Sequence, residues 1–248
     1  MRLTRRRFLV GAGLGLLRPP SLRAQPALAR EHQPKLDLPI LAEDATAVPI
    51  QAWVDHPMEP DHYIKSIELT VEQDPVPDKG KFFFTPGNGR AWIAFPMRSG
   101  TGGLARAVAE CSKHGRFVGT REYRVADGGC STGPDPASRE RLGNPQLRLP
   151  RALRSGETVE VKVKVDHGSY TGLALRNGKF VREAPEFYVK EMLVFLDDEK
   201  LSEFRMTSAV SANPQVRFPF RASRSGTLRV IFVNSEGHRW EASHGVRL

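Results

Sequence analysis

The chain has few of the features that usually announce a function. Only two of its 248 residues, Cys111 and Cys130, are cysteines, which excludes a disulfide-stapled scaffold and allows one internal bridge at most. No phosphate-binding loop or dinucleotide fingerprint occurs, and Gly129-Cys130-Ser131-Thr132-Gly133, which fits the bare Gly-x-Ser-x-Gly spacing, lies in linker-like sequence without the strand and helix of a nucleophile elbow, so no catalytic residues are assigned and a non-enzymatic role is expected. No stretch carries a sustained 3.6-residue apolar period, which argues against helix-covered parallel sheets. The seven histidines form no Cys/His or His/His cluster at zinc spacing, so neither a metal nor a cofactor is expected. His56 and His62 flank a proline-containing turn, where solvation or turn hydrogen bonding is the expected role.

What is present begins with the leader. Thr4-Arg5-Arg6-Arg7-Phe8-Leu9-Val10 opens a glycine-softened apolar run, the address used by twin-arginine export. The run from Phe8 to Leu17 is ten residues, against the roughly 20 that span a bilayer. It is therefore a signal segment and not an anchor. Ala27-Leu28-Ala29 offers a small-x-small cleavage site, giving a signal peptide over 1–29, with Leu22-Arg23-Ala24 as a second choice. A periplasmic protein without membrane attachment after cleavage is expected. Residues 1–29 hold six arginines and no acid, so cleavage brings the net charge from +9 to about +3. The basic balance that suggested nucleic acid disappears with the leader, and no nucleic-acid partner is expected.

The remainder repeats itself. With an offset of 123, Phe95-Pro96-Met97-Arg98 falls on Phe218-Pro219-Phe220-Arg221, Cys111 on Asn234, and Arg116-Phe117 on Arg239-Trp240. Upstream, Trp53-Val54-Asp55-His56 resembles Lys164-Val165-Asp166-His167, and Tyr63-Ile64-Lys65 resembles Tyr188-Val189-Lys190. The recurrence of His56 and His167 suggests a structural histidine at a strand end. An insert from Thr171 to Arg182 reads as a hairpin with Asn177-Gly178 as a type I′ turn. Each half is a series of short alternating strands; Val159, Val161, Val163 and Val165 share one face of the clearest. The expected fold is all-β, two immunoglobulin-like β-sandwiches in tandem: 30–126, a linker over 127–145, and 146–248. Phe82-Phe83-Phe84, Trp53 and Trp92 are expected in the core or between the domains, and the halves are expected to pack on each other.

Cys130 stands just past the first sandwich, in Asp127-Gly128-Gly129-Cys130-Ser131-Thr132-Gly133-Pro134. Gly128, Gly129, Ser131 and Gly133 put almost no side-chain bulk around it, so the thiol is presented and not buried. Two alternatives use the same residues: a Cys111–Cys130 disulfide, or pairing of Cys130 between two molecules.

The leader, Val54-Asp55-His56-Pro57-Met58 and the closing Gly128-Gly129-Cys130 resemble SoxY, the carrier subunit of periplasmic thiosulfate oxidation. Asp166-His167, the Asn177-Gly178 hairpin, Ser211-Ala212-Asn213-Pro214 and Gly226-Thr227-Leu228 resemble its partner SoxZ. Together they look like a fused SoxYZ-like carrier of the type associated with quinoprotein dehydrogenases. The resemblance implies that Cys130 holds a sulfur-containing intermediate covalently and presents it to periplasmic redox enzymes, either sulfur-oxidation enzymes or a quinoprotein dehydrogenase. The competing expectation is a cargo-free adaptor or maturation factor for such a dehydrogenase. In SoxY the arm ends the chain, usually as Gly-Gly-Cys-Gly-Gly; here Ser131-Thr132-Gly133-Pro134 and a second domain follow, so the arm is tethered at both ends.

Overall fold

The structure, a computed structural model, describes residues 25–126 and 142–248. The leader through residue 24, and Cys130 with Gly128, Gly129, Ser131 and Gly133, lie outside them. A helix, α1 (Gln25–His32), precedes eight strands of the first half: β1 (Lys35–Asp37), β2 (Leu41–Ala42), β3 (Val48–Val54), β4 (Ile64–Val71), β5 (Asp78–Phe84), β6 (Ala91–Met97), β7 (Gly102–Cys111) and β8 (Gly115–Val125). The second half supplies β9 (Gly143–Arg148), β10 (Thr158–Asp166), β11 (Leu173–Arg176), β12 (Lys179–Arg182), β13 (Val189–Leu196), β14 (Glu199–Met206), β15 (Gln215–Arg221), β16 (Gly226–Asn234) and β17 (Arg239–Val246). Among the described residues no helix is long and apolar enough to cross a membrane.

Side-chain alternation builds the layers. In β10 the valines at 159, 161, 163 and 165 are buried while the residues between them are not, the period-2 pattern of a strand with one face on a core. Asn177 and Gly178 both take positive φ (51° and 76°) and close β11 onto β12, the type I′ turn that the sequence predicts. The chain is all-β, with two sandwich-like units in tandem. β9 already begins at Gly143, so strand structure occupies the last three residues, 143–145, of the expected linker.

The units are joined more intimately than two packed domains. One sheet runs β1-β3-β6-β15-β10-β9 and the other β17-β16-β13-β14-β5-β4-β7-β8-β2, so each layer passes from one half into the other. β5 pairs with β14 from Phe84↔Ser202 to Gly80↔Met206, and β6 meets β15 at Ala94↔Arg217. One apolar core lies between the layers and includes residues of both halves. Phe82 and Phe84 face inward at this seam, and Phe204 of β14 touches both, at centroid distances of 5.7 and 5.6 Å. Phe83 faces outward beneath Lys81 and Arg205. Fully buried Asn88 pins the seam: its Nδ2 donates to Ser202 Oγ (2.7 Å) and the Pro219 carbonyl (3.0 Å), and its Oδ1 accepts from the Thr85 N–H (2.9 Å).

Because β5 and β14 occupy equivalent places in the repeat and run antiparallel, the halves are related by an approximate two-fold axis through the seam. The Ile64 end of β4 and the Val189 end of β13 therefore lie at opposite poles. Protease cleavage within 127–141 is expected to leave the halves together, since the seam is non-covalent and extends through both layers. Co-elution of the two fragments on gel filtration checks this; two separated peaks would contradict it.

Candidate functional site

The thiol-bearing segment leaves from a fixed point. Val125 closes β8 in a parallel pairing with Ala42 of β2, and the Ala126 N–H donates to the Ala42 carbonyl (2.8 Å). The chain returns at the same pole, where Gly143 opens β9 at φ 104° so close to Trp240 that a Cβ would lie 2.6 Å from its ring. Ile40 and Leu41, 80% and 56% exposed, stand beside the departure point. They line an open cleft of about 840 Å³ with Glu72, Leu104 and Arg124.

Beneath the departure point lies a buried polar network. Lys79 Nζ, wholly buried, donates to Asp74 Oδ1 (2.8 Å) and to the Arg98 carbonyl (3.0 Å). Ser99 Oγ and the Gly100 N–H donate to Asp74 Oδ2 (2.8 and 2.9 Å), and Ser99 Oγ bonds Tyr123 Oη on β8 (2.6 Å). Ion pairing and hydrogen bonding together satisfy a charge that would otherwise be costly to bury. The network fastens β8 just before the chain leaves the described residues.

The opposite pole holds a group of side chains that spacing along the chain does not reveal. His32 comes from the last turn of α1, His56 and His62 from the segment between β3 and β4, and Cys111 and His114 from the β7–β8 turn. His62 Nε2 lies 3.2 Å from His56 Nε2, 3.1 Å from His114 Nδ1 and 3.5 Å from His32 Nε2; His114 Nδ1 lies 3.0 Å from His32 Nε2. Cys111 Sγ is 3.8 Å from His114 Nδ1 and receives the Lys113 backbone N–H at 3.5 Å. The ligand-type atoms of His32, His62, Cys111 and His114 all fall within 4.8 Å of one another. His32, His56 and Cys111 are buried, His62 is half-buried and His114 is exposed, so the group opens to solvent on one side.

His56 makes the expected turn hydrogen bond, to the Pro57 carbonyl, but its Nε2 also meets that of His62. The absence of a metal-type Cys/His cluster holds only for spacing along the chain. Cys111 is a free, buried thiol turned into the imidazoles; Cys130, its partner in the disulfide alternative, lies outside the described residues. Burial and then the adjacent imidazoles hold His56 below its ordinary pKa, against the opposing pull of the Pro57 carbonyl, and burial with His114 and Lys113 does the same for His62. Both are therefore neutral at pH 7, the form that has a lone pair to give.

The second half shows how the same place looks when it is structural. His167 repeats His56 down to its short ring-Nδ1 contact with the next carbonyl, that of Gly168 in place of Pro57 (2.5 Å in each). Its Nε2, however, meets the Asn234 amide Nδ2 (3.2 Å), and its ring stacks on Phe187 at 4.4 Å. Asn234 stands where the first half has Cys111, and Phe187 where it has His62.

The fold and the thiol position define a class: an all-β, double-sandwich protein with a cysteine on a segment tethered between its two halves. Residues 21–130 match the family of sulfur oxidation protein SoxY, and residues 147–244 that of sulphur oxidation protein SoxZ. The chain belongs to these families as a SoxY–SoxZ fusion, a SoxYZ-like protein with a carrier or adaptor role in sulfur oxidation. No curated protein matches significantly. Among solved structures, a superoxide reductase (neelaredoxin) from Ignicoccus hospitalis is 27% identical, over 38% of this chain and 81% of its own, at a TM-score of 0.35. A variant of that protein gives 26%, 42%, 87% and 0.38. A family 2 glycosyl hydrolase from Bacteroides cellulosilyticus is 13% identical, over 82% of this chain and 24% of its own, at 0.24. At these TM-scores none of the three bears on the site.

Proposed function

We propose that the protein is a periplasmic carrier that holds a sulfur-containing intermediate covalently on Cys130 and presents it to redox enzymes. The observation that carries the reading is that the SoxY match ends on Cys130 itself, four residues beyond the anchored Ala126. Joining the Cys130 thiolate to a sulfur nucleophile as an S–S bond removes two electrons, which the protein has no described group to accept in that place. The electrons pass to the partner, either a sulfur-oxidation enzyme or a quinoprotein dehydrogenase. Exposed Ile40 and Leu41 beside the departure point suit a docking enzyme.

Export is part of the proposal, and α1 bears on where the leader is cut. Cleavage after Ala29 would remove Leu28, whose carbonyl accepts the His32 Nδ1–H at 2.8 Å. Cleavage after Leu22-Arg23-Ala24 keeps both Leu28 and His32 in the mature chain. We therefore favour the second site.

Intact-mass measurement on protein taken from its own periplasm tests both points. The expected species starts at Gln25 and carries a sulfur adduct that reductant removes and Cys130→Ser abolishes. Unmodified protein, with full function retained in Cys130→Ser, would leave the cargo-free adaptor in its place.

A further inference from the structure

We propose that His32, His56, His62, His114 and Cys111 form a mononuclear metal site, four imidazoles and one thiolate, suited to iron(II) with one position open to solvent. Two donors at right angles, each about 2.1 Å from one ion, stand about 3.0 Å apart. The separations His56–His62, His62–His114 and His114–His32, at 3.2, 3.1 and 3.0 Å, follow that spacing in succession. Cys111 sulfur closes on the same space from one side.

The outer ring nitrogens of two histidines are already engaged. His32 Nδ1 donates to the Leu28 carbonyl and His56 Nδ1 to the Pro57 carbonyl. With both Nδ1 atoms turned outward, both Nε2 atoms face the cluster. His62 Nε2 faces both of them and has one proton at most. With His114 Nδ1 at 3.0 Å from His32 Nε2, four imidazole nitrogens converge on one small space, where a single cation would accept all of their lone pairs at once. Carbonyl acceptors on the outer ring nitrogens are also what metal-bound histidines characteristically have.

The repeat supplies the control. His167 has the orientation of His56, yet an amide donor satisfies its Nε2 and a phenyl ring fills the place of His62. The first half has four imidazoles and a thiol at this place; the second has His167 with Phe187 and Asn234, and His238, on the equivalent turn, meets the Asn234 amide at 3.5 Å.

The donor set selects the ion. Zinc in structural sites takes four ligands in a tetrahedron; five donors including four imidazoles suit a larger coordination number. Mixed imidazole and thiolate ligation excludes magnesium and calcium, which take oxygen. Five protein ligands leave an octahedral ion one vacant position, which a small anion from solvent can take.

This site and the carrier thiol are separate. β8 spans its 11 residues between the cluster and Ala126, roughly 33 Å. Four residues of chain reach at most about 14 Å, so Cys130 cannot come to the ion bound in its own molecule. The proposal stands or falls without the carrier reading.

The test uses the full chain from Gln25, stripped with chelator and titrated anaerobically with ferrous ammonium sulfate, then oxidised by one electron per ion with ferricyanide. One iron per chain and a visible thiolate-to-iron absorption are expected, with azide shifting the band. Cys111→Ser should abolish the band, and His62→Ala with His114→Ala, both at the solvent edge, should weaken binding at least tenfold without loss of fold by circular dichroism. Asn234→Ala and Cys130→Ser should leave affinity and band unchanged. Binding below one ion per ten chains, or binding indifferent to the Cys111 and His62/His114 replacements, overturns the site. Tight zinc binding with no iron retained overturns the assignment of the ion.

Discussion

Asp74→Ala is expected to cost about 3–5 kcal/mol of stability, the loss found when one member of a buried ion pair is removed. Lys79 is wholly buried and would lose the carboxylate 2.8 Å away, leaving its ammonium group either charged without that partner or driven to the neutral form, each at a cost. Ser99 Oγ and the Gly100 N–H would lose their acceptor in the same step. In a protein of this size the cost corresponds to a fall of about 6–20 °C in melting temperature. Asp74→Ala/Lys79→Met should restore much of it, because no unpaired charge then remains. Denaturant unfolding of the two single variants and the double variant measures the coupling. Equal losses in all three would show that the pair is not the source.

Phe204→Ala is expected to cost a similar amount, about 3–5 kcal/mol for a buried phenylalanine, and to lower both halves at once. Phe204 is fully buried and touches Phe82 and Phe84 of the first half and Phe218 of its own. Its strand is the partner of β5, so the cavity opens in the seam. Calorimetry should show one transition, displaced downward as a whole, with van't Hoff and calorimetric enthalpies in agreement. A variant that unfolds in two steps, first-half strands surviving the second, would mean that the layers are not one cooperative unit.

The parts of the fold legible in the sequence are those set by local chemistry. Alternating valines gave β10, Asn177-Gly178 gave the hairpin, and the repeat put Cys111 opposite Asn234 and Tyr63 opposite Tyr188. The seam was beyond that reading, because β5 has the same alternation whether its neighbour belongs to its own half or the other. The histidine group was missed for a related reason. Its members come from three segments, and Cys111-x-x-His114 is the only closely spaced pair. A usable signal did exist: at positions equivalent by repeat, one half carries His62 and Cys111 while the other carries Phe187 and Asn234. Recurrence of His56 and His167 pointed to a shared role; the difference between their neighbours was the informative part. Of the thiol-bearing segment, only the two points that bound it are described.

The antiparallel relation of the halves has a consequence for traffic around the molecule. The chain leaves Val125 and re-enters at Gly143 on one pole, while the rim formed by His62 and His114 is on the other. An enzyme seated over Ile40 and Leu41 leaves that rim uncovered, so two visitors at the two poles do not compete for the same ground. Saturating the protein with one of them should leave the dissociation constant of the other unchanged.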